Sequence, residues 1–204
     1  MKMVLQQNKY NIYFVKYLSV MINLKLSPNR ILEKNHLTGH VFNRYNISTK
    51  TTTPISQIPK KNFLDYSFFV DLLNTYDDIN ESNTEKFMVY EVPVIIDYLV
   101  KSHNYYLSSR LPLIEQNICV QINKFEKKHP LLYVFYEFFL IYKRDLKEHF
   151  KEEEDCLFPF ANSLYEFAKN NSTNELENIK KLQIKALDFI EKHKNEPSEL
   201  SSLN

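Results

Sequence analysis

Four side chains combine the residue types and spacing that metal chemistry needs: His103, His149, Glu153 and His193. His149 and Glu153 stand four apart, one turn of a helix, so both leave the same face. That face is apolar, with Phe135, Phe139, Tyr142, Leu146, Leu157, Phe160, Leu164 and Phe167 recurring at steps of three and four. A carboxylate in such a row is costly unless it is paired or bound to a cation, and an imidazole one turn away is a natural co-ligand. His103 interrupts a second row formed by Val92, Ile95, Leu99, Tyr106, Leu107, Ile114, Ile118, Ile122 and Phe125. His193 ends a third, after Leu176, Ile179, Leu182, Ala186 and Ile190. Three helices thus each direct a histidine into one shared interior, and one of them adds a carboxylate. This is the ligand logic of metal sites inside helical bundles, and mixed imidazole and carboxylate donors suit iron, manganese or zinc. A plainer account stands beside it. Glu153 belongs to the run Lys151-Glu152-Glu153-Glu154-Asp155, which also fits a solvated acidic face, and a lone core histidine usually has a hydrogen-bond partner instead of a metal.

Three long helical patterns must position these groups, at about residues 92–128, 130–168 and 174–196. Pro112 lies inside the first and is expected to kink it. Ahead of them, residues 26–47 read as helical from a Ser27-Pro28 start, with Ile31, Leu32, Leu37, Val41 and Phe42 as the buried side. Residues 48–61 form a polar loop. A second short helix is expected over 63–76, with Leu64, Phe68, Val70, Leu72 and Leu73 as its apolar positions. The polar stretch 77–86 is the expected boundary. The organisation is then an N-terminal extension (1–25), a small helical domain (26–80) and a helical bundle (88–204).

Composition narrows the alternatives. With 26 basic against 25 acidic residues, the chain lacks the positive field of a general nucleic-acid binder. One glycine cannot supply phosphate-binding loops or primed hairpin turns, which pushes the fold towards all-α. The two cysteines, Cys119 and Cys156, have no metal-like spacing. That argues against structural zinc or an iron–sulfur cluster and for reduced thiols in a cytoplasmic setting. The apolar stretch 12–24 is broken by Lys16 and Asn23 and falls short of the ~20 residues a membrane helix needs. It also lacks the full pattern of a signal peptide.

The segment LKEHFKEEEDCLFPF, Leu146 to Phe160, resembles the central signature of hemerythrin-like domains, in particular the iron–sulfur cluster repair di-iron family. There a helix carries H-x-x-x-E shortly before L-F-P, here His149, Glu153 and Leu157-Phe158-Pro159. Upstream, IIDYLVKSHNYYLSSRLPLIE is similar to that family's first bundle helix, with His103 followed by Leu111, Pro112 and Ile114. VFNRYNI and FFVDLLNTY resemble the small helical domain often fused ahead of the bundle. The resemblance covers roughly residues 26–204. It implies a non-haem di-iron centre in an up-down four-helix bundle, with NO, O₂ or peroxide as small ligands. It also implies a role in repairing iron–sulfur proteins damaged by nitrosative or oxidative stress.

The sequence departs from the family pattern in several places. The expected N-terminal domain carries no cysteine pair. Phe125 falls where a second histidine is expected, and His129 is then a loop residue. The spacing from His103 to Pro112 leaves Asn104 near the ligand register. The chain ends at Asn204 without a fourth helix bearing another H-x-x-x-E, so three histidines and one glutamate would hold one iron rather than a pair. The apolar groove left by a missing helix could be filled by a homodimer. Two other readings follow from the same residues. One is a metal-free, degenerate bundle acting as a binding or regulatory module. The other is a redox enzyme acting on O₂ or peroxide, with Tyr106 and Tyr142 as nearby tyrosines.

Overall fold

In the computed structural model the described residues are 22–77, 84–125, 127–171 and 173–195, and among them every regular element is helical and no strand occurs. The expected extension, apart from residues 22–25, and most of the expected boundary stretch lie outside the described residues. The chain forms two compact units, Met1–Lys101 and Ser102–Asn204, and the division falls inside a helix, Val92–Tyr105. No described helix is long and apolar enough to cross a membrane.

The first unit holds α1 (Pro28–Lys34), α2 (Gly39–Arg44), α3 (Tyr66–Asp77) and most of α4 (Val92–Tyr105). The single helical stretch expected over 26–47 is two helices, because Asn35 leaves helical geometry. Its side chain accepts from the Leu37 N–H at 2.9 Å and donates to the Tyr76 carbonyl at 2.7 Å. An asparagine that satisfies two backbone groups in this way competes with helix continuation. With glycine scarce, left-handed positions fall to asparagine. Asn46 adopts φ 53° just past α2, where the Ile47 N–H closes back on Phe42 O at 2.9 Å. Phe42, Phe69, Ile55, Leu73 and Val41 are the fully buried centre. Ile55 and Ile58 come from the polar loop, which is anchored by Ile55 N–H to Leu26 O at 3.0 Å and Ser56 N–H to Leu24 O at 2.9 Å. Leu64, expected on the apolar side of α3, precedes that helix and is 60% exposed.

The second unit contains three long helical runs. The first continues from α4 through a wide turn, Tyr106–Arg110, into α5 (Leu111–Phe125). The second is α6 (Leu131–Glu152), a wide turn at Glu153–Leu157, and α7 (Phe158–Asn170). The third is α8 (Thr173–Asn195). In each wide turn the N–H bonds five residues back rather than four: Leu111 to Tyr106 O and Phe158 to Glu153 O. Each is followed, after one intervening residue, by a proline, Pro112 or Pro159. Proline lacks an N–H, and its ring presses on the carbonyl four residues earlier. A wide turn placed there opens the backbone where that conflict falls.

The wide turns change which residues share a face. One residue more than an α-turn shifts all that follows by about 100°. Beyond the first wide turn the buried side is therefore Leu111, Ile118 and Ile122, while Ile114 is 37% exposed. On α6 the buried row is Phe139 with Leu132, Tyr136 and Leu146 packed around it, whereas Phe135 and Tyr142 are exposed. Helices α5 and α6 run antiparallel, tied by the Lys143 ammonium, which donates to Glu115 at 2.6 Å. Helices α7 and α8 form the other close pair, and α8 also packs on the wide turn at 153–157. Asn171 ends α7 at φ 50°, its N–H reaching Phe167 O at 2.8 Å.

Candidate functional site

Phe150 on α6 provides the floor of the site. The buried His103 ring lies on it, centroids 3.9 Å apart and planes 7° apart, with the Phe158 ring 5.6 Å away. Glu153 and Glu154 stand three and four residues after Phe150, the two positions one turn on that flank its face. An imidazole stacked on Phe150 therefore meets a carboxylate at each nitrogen. Its Nδ1 is 2.8 Å from Glu154 Oε1 and its Nε2 is 3.0 Å from Glu153 Oε2. Phe158 shares the face of Phe150, eight residues earlier, because the wide turn between them adds one residue.

Glu153 faces two ways. Its Oε2 meets His103, and its Oε1 lies 3.3 Å from Nε2 of His149, one turn earlier on the same helix. The His149 ring packs near Phe189 of α8, centroids 5.5 Å apart. Glu153 and His149 are half-buried, and Glu154 is more exposed. Burial opposes charge on the His103 ring, but the hydrogen bonds and negative charges of Glu153 and Glu154 outweigh it. The net effect holds His103 above its ordinary value, as expected for an imidazolium donating from both nitrogens.

The structure thus brings together three of the four residues singled out from sequence: His103, His149 and Glu153. The fourth, His193, lies on α8 one turn beyond Phe189, and its side chain is outside the described residues. Glu154, Phe150 and Phe158 were not anticipated. The signal for the first two was present as Phe150 followed at the third and fourth positions by glutamates. Phe125 and His129 pair with each other, ring centroids 6.4 Å apart, and both are exposed. Phe125 is about six turns along from His103. Asn104 is exposed. Cys119 and Cys156 are free thiols, both half-buried.

The donor chemistry fits a cation. Two imidazole Nε2 atoms and one carboxylate converge, and the third-nitrogen contact, His103 Nδ1 to Glu154, has the form of the outer hydrogen bond that orients a ligating histidine. As the side chains stand, Glu153 fills the space between the two rings. Among the described residues no group of three or more His, Cys, Asp or Glu is arranged to hold a metal ion. No family model, curated protein or solved structure matches the chain.

Proposed function

We propose that the second unit is a non-haem iron-binding helical module, with His103 and His149 giving Nε2 nitrogens and Glu153 its carboxylate. His193 is the candidate fourth ligand. The observation that carries this reading is the Glu153 carboxylate, whose two oxygens reach the Nε2 atoms of histidines on two different helical runs. Two histidines and one carboxylate form the donor set of many open ferrous sites. Bound iron would supply open coordination positions for NO, O₂ or peroxide, or serve as exchangeable iron.

The chain's own groups have defined parts. Phe150 and Phe158 fix the His103 plane and keep water from that side. Glu153 brings negative charge to offset that of a cation, and Phe189 covers the His149 ring. The biological role we propose is repair of iron–sulfur proteins damaged by nitrosative or oxidative stress. It rests on the likeness of residues 146–160 to the hemerythrin-like, iron–sulfur cluster repair signature, in a unit whose described elements are all helical.

Anaerobic reconstitution with Fe(II), followed by metal analysis, tests the site. About one iron per chain is expected, falling to background in His149→Ala and Glu153→Ala, whereas less than about a tenth of an iron per chain rejects it. A second reading has its own support. Both His103 nitrogens already meet carboxylates, so the cluster is also complete as an ion-pair node in a metal-free binding or regulatory module. A wild-type chain that stays iron-free, with thermal stability indifferent to Fe(II), selects that reading.

A further inference from the structure

We propose that Glu154 is a positioning residue for the metal site: through the His103 Nδ1 contact it orients the imidazole and fixes which nitrogen is offered to the cation. The inference rests on the iron-binding reading above and adds a residue that neither the sequence pattern nor that reading contains. Its basis is an asymmetry between the two carboxylates at one ring. Glu153 faces Nε2 and also His149, so it lies among the donors. Glu154 faces only the opposite edge, with Oε1 2.8 Å from Nδ1, and is the more exposed of the two.

An imidazole has one lone pair to give in its neutral form, and the nitrogen that carries the proton is decided by what accepts it. With the Nδ1 proton donated to Glu154, the lone pair stays on Nε2, which points towards Glu153 and His149. The stack on Phe150 fixes the plane of the ring. It leaves open the 180° flip about Cβ–Cγ, which keeps the plane but exchanges Nδ1 with Cδ2 and Nε2 with Cε1, and the Glu154 contact selects one of the two. A carboxylate acceptor also raises the basicity of the nitrogen opposite, which strengthens its bond to a cation. Glu154 can play this part only because it follows Phe150 by four residues while Glu153 follows it by three. One imidazole lying over Phe150 is thereby held at both edges.

Co(II) is the probe, titrated into the full-length chain and followed by its visible absorption, with Glu154→Ala and Glu154→Gln beside wild type. The expected result is a dissociation constant raised about 10- to 100-fold in Glu154→Ala, with unchanged band positions because the atoms bonded to the ion are the same. Glu154→Gln keeps an oxygen acceptor for Nδ1–H and should recover part of the loss. Far-UV circular dichroism and thermal midpoints should match across the three proteins, which separates orientation from folding. Should Glu154→Ala perturb the fold, the comparison of Glu154→Gln with wild type decides alone, with a rise of several-fold expected. Wild-type affinity in both variants overturns the proposal and leaves the iron reading intact. A changed Co(II) spectrum in Glu154→Ala overturns it too, by making Glu154 a ligand. Absence of Co(II) binding by wild type overturns both readings together.

Discussion

The imidazole of His103 lies flat against the ring of Phe150, 3.9 Å between centroids and 7° between planes. A protonated imidazole in that position gains from the negative face of the aromatic ring, which offsets part of the cost that burial puts on its charge. Phe150→Leu keeps most of the apolar volume and loses the face, so a loss of about 1 kcal/mol is expected. Phe150→Ala opens a cavity as well and should cost about 3 kcal/mol, the low end for a phenylalanine because the residue is half-buried. Urea unfolding of the three proteins at pH 6 measures both differences. Equal stability of Phe150→Ala and wild type would mean that the stack carries no energy.

The charge on His103 makes the metal-free protein sensitive to pH in a stated direction. Its folded value lies above the ordinary one; burial pulls it down, and Glu153 and Glu154 together more than restore it. Such a group stabilises the fold fully below about 6.5, the unfolded histidine value, provided the carboxylates remain ionised. That stability is lost as pH rises through the higher folded value. Urea midpoints of chelator-treated protein between pH 5.5 and 9 should therefore fall with rising pH. The decline should be smaller in a Glu153→Gln, Glu154→Gln double variant. A wild-type midpoint that rises across this range contradicts the charged imidazole.

Ile55 and Leu64 invert the usual expectation for loop and helix. Ile55 sits in the polar loop yet is 0% exposed, whereas Leu64, expected on a buried helical face, is 60% exposed. Ile55→Ala should cost about 2–5 kcal/mol, and Leu64→Ala should stay within about 0.5 kcal/mol of wild type. Thermal unfolding of both variants checks the pair, and the reverse order would place the core of the first unit wrongly.

The helical runs were legible in the sequence because apolar residues recur at three and four over long windows, and that recurrence depends on helix geometry alone. His103, His149 and Glu153 were legible for a related reason: polar groups that interrupt such a row need a partner. Ile118 and Ile122 were on the expected stripe and are buried, but Leu111 and Phe158 were harder to read. A pattern counted at 3.6 residues per turn runs on through residues 106–110 and 153–157 as if no extra residue were there, and so selects Ile114 over Leu111. The prolines at 112 and 159 were visible, but a proline announces a disturbance without saying whether the backbone bends or widens. Glu154 was hidden in a run of five charged residues, where nothing local distinguishes a solvated carboxylate from one against a buried ring. The burial of Ile55 and Ile58 depends on backbone bonds to Leu24 and Leu26, some thirty residues earlier, and no short window contains both partners.

Asn171 offers a test of helix termination in a chain short of glycine. It holds φ 50° at the end of α7, a conformation that costs an L-residue other than asparagine or aspartate about 1–2 kcal/mol. Asn171→Ala should lower stability by about 1 kcal/mol, and Asn171→Gly should equal or exceed wild type. Differential scanning calorimetry gives both midpoints, and a more stable alanine variant would show that α7 ends in some other way.

Where a helix carries one surplus residue, its two halves keep different phase, and the contacts around His103 exist only at the offset that results. Rewinding 153–157 as ordinary α-helix with all five residues kept would swing Phe158 roughly a quarter-turn away from the imidazole, whereas deleting one residue would leave Phe158 seven positions after Phe150 and still on its face. The winding between positions is therefore as much a part of this site as their identity. The loop at 48–61 can absorb an insertion between its anchors, and each wide turn already absorbs one surplus residue within a continuous helical run.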